Sequence, residues 1–308
     1  MKSKDRKQAG RGAALIAVLW IVATLTFFMI RLAPGGPFDQ DKSLPPDILK
    51  NIEAKYHLDE PLGAQYLRYM GSLLVLDLGP SFKYANRTVN EIIAAAFPVS
   101  LELAFWAILV ALTLGIGAGI IAALYPATWK DHGVMSLAMV GVCTPNFVLG
   151  PLLVLVFSLT TGWLPVAGWE TAQDRILPAL TLGAIYAAYI ARLTRGGMME
   201  VLRQDYIRTA RAKGLPERVV ILRHALRGGI LPTVSFLGPA IAGIATGSLV
   251  IELIFDIPGL GRFFVQSALN RDYTMVMGTA LFYAVFILAM NILVDIAYAW
   301  LDPRVRYD

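Results

Sequence analysis

Six long stretches of this chain are almost free of Asp, Glu, Lys and Arg, and short charged stretches separate them. They cover residues 13–30, 101–124, 134–159, 176–191, 230–254 and 275–301. A bilayer core ~30 Å thick asks for helices of about 20 apolar residues. With no water at that depth, each span must satisfy its own backbone hydrogen bonds, which a helix does within one segment. Strands of a membrane barrel would alternate apolar and polar positions over about ten residues, and these runs do not alternate. The pattern predicts an all-α polytopic membrane protein with six transmembrane helices.

The first run follows a basic head, Lys2, Lys4, Arg6, Lys7 and Arg11. It is too long for a signal peptide and no small-x-small site closes it, so it reads as an uncleaved first helix. Of the 27 Lys and Arg residues, seventeen fall in the head, at Lys130, in the 192–229 segment and in the tail. That bias puts both termini in the cytoplasm. Residues 33–100 are then extracytoplasmic. Ile48, Ile52 and Tyr56 recur every four residues within 46–57, and 62–76 is a second amphipathic stretch. Such faces predict short helices, hence a small helical extracytoplasmic subdomain between helices 1 and 2. The expected organisation is 1–32 (head and first helix), 33–100 (outer subdomain) and 101–308 (permease core containing a cytoplasmic loop, 192–229). Gly115 with Gly119, and Gly243 with Gly247, are small residues four apart that let helices approach closely. Pro145 and Pro239 remove backbone donors and predict kinks or breaks.

Charged residues make up 16% of the chain, against about 25% in a soluble domain. The net charge of +5 fits loops beside anionic lipid and calls for no nucleic acid. One cysteine, Cys143, closes no internal disulfide, and no Cys/His spacing suggests a metal. His57, His132 and His224 lie outside the apolar runs, no H-E-x-x-H or P-loop motif occurs, and no nucleophile–base set converges. The chain is therefore expected to be no enzyme, with no catalytic residue, metal or cofactor of its own. Glu102, Glu252 and Asp295 sit near span ends, where snorkelling is the default reading. Mid-span polar residues are Thr144, Asn146, Thr246, Ser248 and Asn291. They either line a translocation path or hydrogen-bond between helices. An ion-coupled carrier would want an internal repeat and a mid-membrane coupling group, and neither is evident.

The 192–229 segment is patterned. Residues 206–213 alternate bulky, small and basic side chains, Gly214 suits a helix C-cap, and Pro216 sits where a second helix would start. Val219, Val220, Leu222 and Leu226 then recur among Arg218, Arg223 and Arg227. The prediction is helix, turn, helix at the membrane surface. A basic surface helix can simply bind lipid headgroups, but a rigid turn between two helices suits a partner that pushes on it.

These residues bring a family into view. Asp205-Tyr-Ile-Arg-Thr-Ala-Arg-Ala-Lys-Gly-Leu-Pro216 and Ile221-Leu-Arg-His-Ala-Leu226 resemble the cytoplasmic loop of ABC-importer permeases for oligopeptides, dipeptides and nickel, with the oligopeptide branch nearest. Further blocks agree in order: Arg31-Leu-Ala-Pro-Gly35, Asn51-Ile-Glu-Ala-Lys-Tyr-His-Leu58, Gly79-Pro-Ser-Phe-Lys-Tyr84, Thr246-Gly-Ser-Leu-Val-Ile-Glu252, Leu269-Asn-Arg-Asp-Tyr273 and Asp302-Pro-Arg. The resemblance implies a permease subunit of the bacterial inner membrane that pairs with a second homologous permease. Two ATPase subunits would hold ATP and Mg, and a periplasmic peptide-binding protein would deliver the substrate. It assigns ATPase coupling to Asp205, Tyr206, Arg208, Thr209, Ala210, Arg211, Ala212, Lys213, Gly214, Leu215 and Pro216. The general permease pattern has Glu-Ala-Ala where this chain has Arg208, Thr209 and Ala210, a basic version that the oligopeptide branch favours.

Overall fold

The structure, a computed structural model, describes residues 2–32, 35–38, 50, 51, 54–246 and 248–301. These form helices and loops, and the one β-type pairing among them is an isolated bridge between Pro80 and Thr88. In chain order the helices are α1 (Lys2–Leu32), α2 (Leu62–Leu74), α3 (Val89–Leu124), α4 (Trp129–Cys143), α5 (Asn146–Val154), α6 (Ile176–Val201) and α7 (Asp205–Ala212). There follow α8 (Glu217–Val219), α9 (Leu226–Gly229), α10 (Leu231–Thr246), α11 (Leu249–Ile254), α12 (Leu260–Leu269) and α13 (Tyr273–Leu301).

Five helical stretches are long and apolar enough to cross a membrane: Leu15–Leu32, Val89–Leu124, Gln173–Val201, Leu231–Ile254 and Tyr273–Leu293. A sixth span is present if the pair Trp129–Cys143 and Asn146–Thr160, bent by 112°, counts as one. The third apolar run is thus a broken span instead of one straight helix. Pro145 causes the break: the α-region is disfavoured for the residue before proline, and Thr144 is extended at φ −95°, ψ 116°. At Pro239 the helix is not interrupted: α10 runs through that residue. Two span ends also move. The second helix starts at Val89, twelve residues ahead of the apolar run, and the fourth continues to Val201, ten residues past it. Lipid limits hydropathy, whereas a helix stops only where its backbone hydrogen bonding does.

The chain divides into two compact units, Met1–Pro98 with Gly259–Ala289, and Val99–Pro258 with Met290–Asp308. In the first, Phe27, Tyr273 and Met277 are buried together, with Ile30, Tyr66, Tyr69 and Phe82 packed on them. Asp272, fully buried, caps α13 by accepting the Met275 N–H at 3.1 Å. The same carboxylate accepts the Ser81 hydroxyl and the Phe82 and Lys83 N–H groups. Next to it, the Tyr273 hydroxyl donates to the Gly35 carbonyl at 2.9 Å. Three of the sequence blocks, 31–35, 79–84 and 269–273, therefore meet at one buried carboxylate and its neighbour. Of the 46–57 stretch, 46–49, 52 and 53 lie outside the described residues, while the 62–76 stretch forms α2.

In the second unit small residues bring helix backbones together, as their spacing predicts. A Cβ on Gly119 would meet the Ala191 carbonyl oxygen of α6 at 2.7 Å, and one on Gly115 would meet that of Ala187, also at 2.7 Å. Gly243 faces the Tyr186 hydroxyl, and Gly247 lies outside the described residues. Ala111, Ala187 and Ile190 are buried at this packing, against Tyr186, Phe236 and Leu237.

Candidate functional site

Past its membrane-crossing turns, α6 carries the chain into the 192–229 segment. The backbone breaks over 202–204 and α7 begins at Asp205. The C-terminus of α7 is closed by two bonds: the Gly214 N–H donates to the Arg211 carbonyl at 2.9 Å, and the Leu215 N–H to that of Ala210 at 3.4 Å. This pairing is the Schellman motif, which needs a left-handed residue after the cap. Gly214 supplies it at φ +74°. Pro216 then stands one residue before α8, as its N-cap residue, and its carbonyl accepts the Val219 and Val220 N–H groups at 2.8 and 3.1 Å. The helix continues with π-type turns over Val220–Ala225 and returns to α-geometry in α9.

The segment has a core of its own. Ile207, Ala210, Val220 and Ala225 are buried with Met198 of α6 and Ala123 of α3. Among the sequence-assigned coupling residues only Ala210 is buried; Asp205, Tyr206, Arg208, Thr209, Arg211, Ala212, Lys213, Gly214, Leu215 and Pro216 are exposed. Arg208 projects outward, 3.6 Å from Asp205. Arg211 clasps Glu217 across the turn with two bonds of 3.2 and 2.7 Å. That clasp holds the Glu217 carboxyl below its usual range, chiefly through the Arg211 hydrogen bond. A depressed carboxylate pKa contributes stability above the unfolded value, about 4.3, and loses it as pH falls through the folded one. Both partners are exposed, so the contribution at pH 7 is small. Glu217→Gln should leave the thermal midpoint at pH 7 unchanged within error while abolishing this segment's share of acid sensitivity. Thermal unfolding at pH 7 checks the first, and amide exchange of 210–220 followed from pH 7 to below pH 4 checks the second.

Two contacts that the sequence did not reveal anchor the segment to the spans. Asp131, in the first turn of α4, is 2% exposed and takes both arms of Arg195 of α6 at 2.8 and 2.7 Å. It also accepts the Ala127 N–H at 2.9 Å. One residue earlier on the same helix, buried Thr194 hydrogen-bonds buried Thr233 of α10 at 2.9 Å. No spacing in the sequence connects 131 with 195 or 194 with 233, so only the fold could pair them.

The mid-span polar residues fall into separate places. Thr144 and Asn146 flank the break between α4 and α5, where the Asn146 Oδ1 is buried and without a hydrogen-bond partner. The Thr246 hydroxyl lies 3.5 Å from the Gly243 carbonyl. Ser248, buried, donates to Glu252 at 2.5 Å. Asn291 is exposed on α13. Glu252 itself is fully buried, so snorkelling does not describe it. Glu102 is held by Arg175 at 2.6 Å and by the Trp169 indole at 3.1 Å, an ion pair where a lone snorkelling carboxylate was expected.

Known proteins resemble this chain. Residues 115–307 match the family described as binding-protein-dependent transport system inner membrane component. The oligopeptide transport system permease protein OppB of Salmonella typhimurium is 51% identical over 294 residues, covering 95% of this chain and 96% of that protein. OppB of Escherichia coli K12 is 50% identical over the same coverage. The dipeptide transport system permease protein DppB of Bacillus subtilis is 45% identical, over 95% of each chain. Among solved structures, an amino acid ABC transporter with histidines superposes with a TM-score of 0.52 at 18% identity, over 67% of this chain and 92% of that one. The MetNI methionine ABC transporter gives 0.50 at 15% identity, over 66% and 95%. These two likenesses concern the fold alone. On the match over 115–307 and on half-identity along nearly the whole length, this chain belongs to the family of binding-protein-dependent transport system inner membrane components.

Proposed function

We propose that the chain is the transmembrane permease subunit of an ATP-driven importer that passes oligopeptides from the periplasm to the cytoplasm. It sits in a bacterial inner membrane with both termini cytoplasmic. The observation that carries this reading is the 51% identity to an oligopeptide permease along 95% of the chain. A second homologous permease completes the path, two ATPase subunits hold ATP and Mg, and a periplasmic peptide-binding protein presents the substrate. The exposed edge of 205–216 receives the ATPases. Its packed core suits that task, because a push on a rigid element reaches the helices it is anchored to. Thr144, Asn146, Thr246 and Ser248 are the residues proposed to border the path, with Asn291 nearer its cytoplasmic end. A dipeptide substrate is the second reading, favoured by the likeness to the dipeptide permease of B. subtilis.

Reconstitution tests this. Vesicles holding the chain with its partner permease, ATPases and binding protein should take up labelled tri-alanine only with ATP, and the chain alone should hydrolyse none. Uptake by the chain alone on an ion gradient would instead identify a secondary carrier. Gly214 provides the second measurement. No atom lies within 4 Å of a Cβ there, so space is open, but φ is +74°. A left-handed β-branched residue costs about 1–2 kcal/mol, so Gly214→Val should lower uptake roughly tenfold. ATP hydrolysis by the complex should persist. Normal uptake by that variant would remove the turn from the coupling mechanism.

A further inference from the structure

Helix α2 has two apolar sides, and only one of them is packed. At about 100° per residue, Gln65, Tyr66 and Tyr69 share one side and Leu67 and Leu74 the opposite one. The first side meets the last turns of α1. The hydroxyls of Tyr66 and Thr24 are 2.9 Å apart. Tyr66 stacks on Phe28 at 5.5 Å and Tyr69 on Phe27 at 5.7 Å, and the Arg31 Nε donates to Gln65 at 3.0 Å. These contacts come from residues 65 to 69, little more than one turn of α2, and reach from Thr24 to Arg31 of α1. On the opposite side Leu67 is 72% exposed and Leu74 87%, and the chain leaves the helix through Val75 and Leu76, 75% and 80% exposed.

The contacts with α1 set the depth of α2. The apolar window of α1 ends at Leu32. Thr24 is eight residues inside that end, about 12 Å at 1.5 Å per residue, within a leaflet whose apolar half is about 15 Å thick. A helix whose tyrosine reaches Thr24 cannot stand clear of the bilayer. α1 likewise exposes apolar side chains over this stretch, at Ile21, Leu25 and Met29. Arg68, between the two sides of α2, pairs with Glu60 at 2.6 Å and keeps a charge at the rim.

We infer that α2 is an interfacial helix, with Leu67, Leu74, Val75 and Leu76 set into the acyl chains of the leaflet in which α1 ends. This segment is thus partly a lipid-facing element, and the binding-protein-facing surface of the subdomain is confined to its other residues. A helix with one packed side and one apolar side lying in the interface plane satisfies both its neighbours.

Spin labels test the assignment in the assembled importer, reconstituted in phosphatidylethanolamine–phosphatidylglycerol vesicles. In a Cys143→Ala background, single cysteines are placed by Leu67→Cys and Leu74→Cys. Leu25→Cys on α1 is the lipid reference and Asp59→Cys, exposed before α2, the aqueous one. All four positions are exposed, so the labels leave packing intact. Labels at 67 and 74 should relax with dissolved oxygen as the one at 25 does, and lose contact with a water-soluble nickel chelate that reaches 59. Nickel access equal to that at 59 would make this an aqueous surface. Exclusion of both reagents would mean that protein, such as the second permease, covers it. Either result overturns the assignment.

Discussion

Asp131→Ala is expected to destabilise the protein by about 3 kcal/mol, the low end of the cost of breaking a buried pair. The low end applies because the Arg195 side chain is 32% exposed and can recover part of its hydration, whereas that of Asp131, at 3%, cannot. The loss is threefold: two charge-assisted bonds to Arg195, and the acceptor for the Ala127 N–H at the entry to α4. Most of the cost is the charge left behind. The double variant Asp131→Ala, Arg195→Met should therefore recover at least half of the lost thermal midpoint, measured on purified complex in detergent. A single Asp131→Ala variant as stable as the parent would show that the pair contributes nothing. Under the proposed function, the same substitution should also reduce peptide taken up per ATP hydrolysed, since Arg195 lies on the helix that leads into 205–216.

Two adjacent glycines of α6 should respond in opposite directions. A Cβ on Gly197 falls on the carbonyl oxygen of Gly229, with that carbonyl carbon at 3.1 Å and the Pro232 Cδ at 3.2 Å. These are backbone and ring atoms that no rotamer change can move. Gly197→Ala must therefore push α6 away from the α9–α10 corner, at about 2–3 kcal/mol by the cost of overpacking. At Gly196 no atom lies within 4 Å. Gly196→Ala should raise stability by about 0.5–1 kcal/mol, because alanine loses less freedom than glycine in a helix. Thermal unfolding of the two variants side by side separates the effect of contact from that of helix propensity. Equal shifts would contradict the close approach at Gly197.

Much of this molecule was legible before any coordinate. The six apolar runs locate the spans because lipid excludes charge from every residue at that depth, whatever its neighbours. The turn at 213–216 was equally legible. A Schellman close needs a left-handed residue, and glycine followed two positions later by proline satisfies the geometry locally. The family was readable from blocks such as 79–84 and 269–273, although nothing in them says that they meet. The structure brings them together: the Asp272 carboxylate of the second caps α13 and holds the 81–83 backbone of the first.

Local signals stopped short wherever a partner distant in sequence decides the outcome. Hydropathy ended the fourth span at 191, yet α6 continues to Val201, because Arg195 finds Asp131 and Met198 finds a core. Glu252 looked like a carboxylate near a span end, and Ser248 with full enclosure makes it an interior group. The outer stretch 62–76 showed an amphipathic helix by its spacing. Which of its apolar sides is packed, and how deep it lies, followed only from its contacts with Thr24, Phe27 and Phe28. Sequence by itself thus determined what each segment requires of its surroundings: lipid, water, a turn. The tertiary structure alone decided which segment meets that requirement for which other, since pairings such as 131 with 195 or 24 with 66 leave no periodicity along the chain.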